Sequence, residues 1–364
     1  MSSPVPSADF QYYGANYWND LPVVAAELRR RAADGVDQSW GEKLLEWNGA
    51  PFAKALSLNC GSGWVERELV SAGVVASAIG VDISEALLAQ ARVAAVAGGL
   101  DIAYQQVDTN TATLDFEGVD LVVNYAAMHH VARIDRVMRQ VCELLPEDGA
   151  LVSWDYIGPH RNQYPAHQWE TMWLLNATLP LGMRKNLCYP HLPTMLATDP
   201  TEAIHSELIM STMRRYFHLD HVRYLGGALA YELLCFNDGF FDGGDHTDLV
   251  RRILDADAAY MSDDPEPNSL FVFVLARPNK AALLALDDLQ QWAQEEEERE
   301  AAAADSGGKY YPDTMLGDLY VALEAARRTT TPDTPPPEPA LVRRLGSACK
   351  RRLRGMRAKL SRRA

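Results

Sequence analysis

Cysteine is scarce and scattered. Five residues, Cys60, Cys142, Cys188, Cys235 and Cys349, form no CxxC pair and no His/Cys metal spacing. That argues against a structural zinc and for a reducing compartment, and the expected location is cytoplasmic. No run of about eighteen apolar residues occurs, so no segment is expected to span a membrane. The first residues, Met-Ser-Ser-Pro-Val-Pro-Ser, lack the basic start and apolar core of a signal peptide. Internal repeats are absent. No Ser-His-Asp set or two-carboxylate hydrolase pair stands out.

Positive charge is also missing from most of the chain. The 364 residues carry a net −15, yet residues 343–364 hold ten Lys/Arg and no acid, which leaves −25 on everything before them. A body this acidic repels phosphates, so nucleic acid is not expected at the catalytic domain. In the tail, Val342, Leu345, Cys349, Leu353, Met356 and Leu360 recur at steps of three and four among basic residues. That pattern predicts a basic amphipathic helix over 341–364, suited to an anionic membrane surface or a protein partner. The protein would then be peripheral at the inner face of the membrane.

What is present is concentrated between Ala55 and Asp82. Ala55-Leu56-Ser57-Leu58-Asn59 reads as a strand, Cys60-Gly61-Ser62-Gly63 as a tight turn, Trp64 to Ala72 as a helix, and Ala76 to Val81 as a second strand closed by Asp82. Glycines in such a turn let the backbone approach a ligand closely. A helix start offers free N–H groups. An acid about twenty residues on, at the next strand tip, is placed for ribose hydroxyls. An adenosine-type cofactor is therefore expected. A nicotinamide enzyme would carry a third glycine where Glu66 stands, and a carboxylate there would repel a pyrophosphate. Cys60 reads as a small buried residue rather than a nucleophile.

Three more strands follow. One ends in Gln105-Gln106-Val107-Asp108-Thr109-Asn110, a second runs from Asp120 through Asn124 into Met128-His129-His130-Val131, and a third is Gly149 to Asp155. On these residues the chain resembles the class I S-adenosylmethionine-dependent methyltransferases, over roughly Phe52 to Pro278. The resemblance rests on the Ser57 to Gly63 turn, Asp82, Asp108 and the Asn124 to His130 loop. It implies an α/β fold, a doubly wound, mostly parallel seven-stranded sheet. S-adenosyl-L-methionine would be held by Ser57, Asn59, Gly61, Gly63, Asp82, Ile83, Asp108, Thr109 and Asn124, with Asp82 on ribose and Asp108 by the adenine. Two departures stand out: the family usually has an acid at Ser57 and a glycine at Asn59. Asn tolerates positive φ, so the turn is expected to survive. The missing acid removes the usual contact to the methionine amine.

A methyl transfer to oxygen needs alignment and a base. His129, His130, Asp155 and His160 are the candidates, and His130 is favoured, since it follows the fourth strand where the methyl should lie. No metal is expected. The acceptor is expected to be a small molecule or glycan. Asp155 to Tyr164 is dense in polar and aromatic groups and opens a long insert, about 156–220, before the last strand pair, Val222 to Leu229 and Leu270 to Leu275. Its Gly158-Pro159-x-Arg161-x-Gln163 run is similar to one in methyltransferase-like proteins of bacterial surface glycan synthesis.

The expected organisation is a helical cap over 1–50, a catalytic domain over 51–280, a helical extension over 281–328, a Pro/Thr-rich linker over 329–340 and the tail. Within the cap, Tyr13 or Trp18 either closes over the cofactor or packs in the core. The altered Ser57/Asn59 turn also leaves a second class open, a catalytically silent methyltransferase-like scaffold acting through its tail.

Overall fold

The computed structural model describes residues 16–283. Tyr12 and Tyr13, the extension beyond Leu283, the linker and the basic tail lie outside the described residues.

Seven strands form one sheet: β1 (Phe52–Leu58), β2 (Val75–Asp82), β3 (Ile102–Gln106), β4 (Leu121–Tyr125), β5 (Ala150–Tyr156), β6 (Phe217–Gly227) and β7 (Ser269–Pro278). Their spatial order is β3-β2-β1-β4-β5-β7-β6. Neighbours from β3 to β5 pair in parallel, while β7 runs antiparallel to both β5 and β6. The strand types follow from burial. β4 and β5 are short apolar runs covered on both faces, as parallel strands are. The chain moves outward through β1, β2 and β3, then returns to place β4 on the other side of β1. Crevices that bind ligands in open α/β sheets lie at such a reversal, beyond the carboxyl ends of the strands.

The helices α1 (Pro22–Ala32) and α2 (Trp40–Asn48) precede the sheet. Ser39 and Glu42 cap α2 reciprocally: the Glu42 amide donates to Ser39 Oγ at 3.2 Å, and the Ser39 amide to Glu42 Oε2 at 2.7 Å. The described part of the expected cap joins the central core. Trp18 is buried and stacks on Phe271 of β7 with ring centroids 5.4 Å apart. Of its two readings the structure gives core packing, because the β7 side offers an apolar surface for the indole. Arg31 of α1 reaches the buried Asp257 of α10 (Thr247–Asp263) at 3.0 Å and the Leu225 carbonyl at 2.8 Å.

Between the sheet strands lie α3 (Trp64–Ser71), α4 (Glu85–Gly98) and α5 (Ile134–Leu144). The insert after β5 carries α6 (Ala166–Ala177), α7 (Leu192–Thr198) and α8 (Ile209–Tyr216), and β6 starts at Phe217, earlier than its apolar run indicates. A short α9 (Ala230–Leu234) precedes α10. No helix among the described residues is long and apolar enough to cross a membrane.

Candidate functional site

The turn after β1 sets the cofactor side. Asn59, Gly61 and Gly63 all have positive φ, at +46°, +56° and +73°. The two glycines serve different ends. A Cβ on Gly61 would meet only a Leu87 methyl at 4.0 Å, so that side of the turn is open. A Cβ on Gly63 would collide with the Tyr104 hydroxyl. Gly63 is therefore glycine for packing, and Gly61 leaves room for a ligand.

Asp82, at the tip of β2, faces this turn. Its Oδ2 accepts the Gly61 amide at 2.8 Å and its Oδ1 the Ser84 amide at 2.8 Å. Each oxygen keeps a further lone pair. Ile83 beside it is 63% exposed, an apolar surface next to the acid. Asn59 occupies the left-handed conformation otherwise given to glycine, and its amide ties three loops together. Its Oδ1 accepts from Thr109 Oγ1 at 3.0 Å, and its Nδ2 donates to the Ala127 carbonyl at 3.3 Å. Asp108 uses Oδ1 for the Asn110 amide and Oδ2 for Thr111 Oγ1, bracing its own turn.

Two residues expected near the cofactor are turned inward. Ser57 is buried within β1. Asn124 is 1% exposed, and its amide donates to Ser153 Oγ and Asp155 Oδ2, both at 2.8 Å. Glu66 also differs from expectation. It is fully buried with its carboxyl beside Gly80, where a Cβ would lie 2.7 Å from Glu66 Oε1. It does not confront the crevice, so repulsion of a pyrophosphate is not what it does. Ser57 and Cys60 lie alongside its carboxyl. Burial raises its pKa above the usual 4.5. Burial likewise pushes the Cys60 thiol up, as expected of an inert cysteine.

A polar group sits at the tips of β4 and β5. Side chains two apart on a strand share a face, so Ser153 and Asp155 point the same way, and Asn124 lies opposite Ser153 in the register. Asp155 is completely buried. Its Oδ2 accepts from Asn124 Nδ2 and from the Met128 amide at 2.7 Å, and its Oδ1 lies 2.5 Å from His129 Nδ1. Burial alone would lower the His129 pKa, but the Asp155 charge and hydrogen bond outweigh it and raise it to about 9. For His130, burial and then the charge of His129 lower the pKa below 6.5. The two rings lie 4.1 Å apart. Three of the four candidate bases are thus together. His160 stands apart, exposed, with its Nδ1 on the Ile204 carbonyl and its ring on His205.

The insert adds residues that the sequence pattern did not flag. Glu202 Oε2 lies 3.9 Å from His129 Nε2 and 3.8 Å from His130 Nε2, and Thr201 Oγ1 is 3.1 Å from His130 Nδ1. Asp199-Pro200-Thr201 reads as a turn, but nothing in the sequence brings it to β4. The Gly158 to Gln163 run does so. Buried Arg161, at φ +54°, donates its amide to the Ala203 carbonyl at 2.7 Å and its Nη1 to the Glu202 carbonyl at 3.1 Å. The Ile204 amide donates to the His129 carbonyl at 3.0 Å, and Ser206 Oγ to the Gly158 carbonyl at 2.8 Å.

A 3-2-1-4-5-7-6 sheet with one antiparallel strand, a glycine turn after β1 and an acid at the tip of β2 together define the class I S-adenosylmethionine-dependent methyltransferase fold. Residues 55–149 match the family model for a methyltransferase domain. The chain is similar to two ubiquinone biosynthesis O-methyltransferases. That of Bartonella bacilliformis is 29% identical over 104 residues, 28% of this chain and 41% of the relative. That of Ruegeria pomeroyi is 31% identical over 158 residues, 40% of this chain and 60% of the relative. The chain therefore spans about half the length of these curated relatives. Among solved structures, geranyl diphosphate methyltransferase with S-adenosylmethionine gives a TM-score of 0.43 at 14% identity, covering 70% of this chain and 94% of the other.

Proposed function

We propose that this chain transfers a methyl group from S-adenosylmethionine to a hydroxyl oxygen of a small-molecule or glycan-type acceptor. The observation that carries the reading is the bond between Asp82 and Gly61. It ties the ribose-binding acid to an open-sided glycine turn at the reversal point of the sheet. The pocket chemistry fits the cofactor. Gly61 permits close backbone approach, the spare lone pairs of Asp82 accept two ribose hydroxyls, and the exposed Ile83 covers an adenine face. Asp108 and Thr109 border that end. When bound, S-adenosylmethionine supplies a methyl group on a sulfonium whose carbon–sulfur bond breaks with its electron pair staying on sulfur.

The acceptor's oxygen is received at the other pole, by His129 and His130, with the buried Asp155 behind them. Asp155 fixes the orientation of His129, and the partly exposed His130 stands beside it. The acceptor proton is drained within this group. Both curated relatives are named O-methyltransferases, which supports oxygen as the accepting atom. The acidic body disfavours nucleic acid, and a cytoplasmic site with membrane or protein contact through the tail belongs to the same proposal.

The altered turn motivates the competing reading, a silent scaffold. Asn59 nevertheless keeps the left-handed backbone and adds two side-chain bonds, which favours a working turn. Calorimetric titration with S-adenosylmethionine, S-adenosylhomocysteine and NAD decides between them. Micromolar binding of the first two and not of NAD is expected, followed by methyl incorporation into sugars or glycolipids. No binding of either sulfur compound would hand the lead to the scaffold.

A further inference from the structure

His129 and His130 are both anchored through Nδ1, one on the carboxylate of Asp155 and the other on the hydroxyl of Thr201. Both Nε2 atoms approach one and the same oxygen, Glu202 Oε2, at 3.9 and 3.8 Å. Those separations are too long for hydrogen bonds. They are close to the spacing of ligand atoms that share a cation at roughly 2.0–2.2 Å from each, and one ligand atom from each of the three side chains lies within 4.8 Å of the others.

The surroundings have the build of a metal site. A ligating histidine ordinarily gives its other ring nitrogen to a carboxylate, which fixes the tautomer and the ring plane. Asp155 does this for His129 while fully buried and while braced by Asn124 and the Met128 amide. Glu202 is delivered by a dedicated clamp. Arg161 grips the carbonyls of Glu202 and Ala203, and the Ile204 amide bonds the His129 carbonyl directly. The cost of holding buried Arg161 at φ +54° is repaid by this placement.

We propose that His129 Nε2, His130 Nε2 and Glu202 form a binding site for one divalent transition-metal cation of zinc-like preference. Two imidazoles and one carboxylate suit zinc or cobalt far better than magnesium or calcium, which take oxygen ligands. Three protein ligands would leave a coordination position for an oxygen; a hydroxyl held there would shed its proton more readily, and to solvent water, because with the cation bound both imidazoles act as ligands rather than as the base. The site goes beyond the methyl-transfer reading, because cation binding is measured without cofactor or turnover. A second group, His160, His205 and Glu207, is also close enough to share an ion. It is more exposed, and His160 Nδ1 is bonded to a backbone carbonyl, so it serves as the control.

The test uses the full chain, stripped with chelator and titrated with Zn²⁺ by calorimetry and with Co²⁺ by visible absorption. Binding of one equivalent is expected, with Co²⁺ bands showing nitrogen and oxygen ligation. Glu202→Gln and His130→Gln should each weaken it at least about tenfold, and Asp155→Asn by roughly 10–100-fold. His205→Ala should leave it unchanged. The proposal is overturned if the wild-type chain takes up no Zn²⁺, if Glu202→Gln binds as tightly as wild type, or if His205→Ala removes the equivalent. Glu202 lies on the insert outside the core, so Glu202→Gln decides the matter should a histidine variant fail to fold. S-adenosylmethionine affinity, measured in the same variants, reports the cofactor site separately.

Discussion

Asp155 Oδ1 and His129 Nδ1 meet at 2.5 Å, the carboxylate fully buried and the ring nearly so. The pair joins β5 to the loop after β4, and Asn124 completes it from β4 itself. Removing one member strands a buried charge. Asp155→Ala should lower the unfolding free energy by about 3–5 kcal/mol, read from urea midpoints at constant slope. A loss below about 1 kcal/mol would show that the pair is not ionised in the folded state.

Asp82 bridges the glycine turn and the start of α4 with one bond from each oxygen. Asp82→Ala should weaken S-adenosylmethionine binding at least about tenfold, since bonds to a charged group contribute about 1.5–3 kcal/mol. Unchanged affinity in calorimetry would remove the ribose assignment.

The two turn glycines should respond differently to alanine. Gly61→Ala places a methyl on the open side and should cost about 1–2 kcal/mol for its positive φ, with a larger relative loss of cofactor affinity. Gly63→Ala drives a methyl into Tyr104 and should destabilise the fold more than Gly61→Ala does. Thermal melts and cofactor titration of both variants check the contrast, and equal melting shifts would refute it.

Glu66 gives a pH dependence. Its folded pKa is raised above the ordinary 4.5 by burial. A group raised in this way supports the fold below its unfolded pKa and ceases to do so as pH climbs through the folded value. The wild type should therefore lose stability relative to Glu66→Gln as pH rises from about 4.5. The variant should melt higher at pH 8 and near the wild type at pH 4, and parallel curves across this range would contradict a buried ionisable carboxyl.

His130→Ala should leave S-adenosylmethionine affinity unchanged and remove turnover, because the ring belongs to the acceptor pole and no bond links it to the glycine turn. Full turnover in the variant would move the proton's destination to Asp155 or to the more distant His160.

The chain order of strands, the glycine turn and Asp82 are local properties, and the sequence by itself determined them. Short apolar runs bounded by turn residues fit buried strands, and an acid at a strand tip soon after a glycine turn lies within reach of that turn. The pairing of His129 with Asp155 was half legible, since His129 lies in the loop after β4 and Asp155 near the end of the neighbouring β5. Contacts that depend on side-chain direction were decided by the tertiary structure alone. Glu66 turns inward because Gly80 leaves it space, Trp18 enters the core because β7 offers it an apolar surface, and Asn124 spends its amide on Asp155. Glu202 belongs to the same group. No periodicity ties residue 202 to residues 129 and 130, and the meeting exists only because Arg161 fastens the insert across the strand ends. Sequence patterns report which way an element faces water, whereas a long-range polar contact is fixed by where the folded backbone brings two loops.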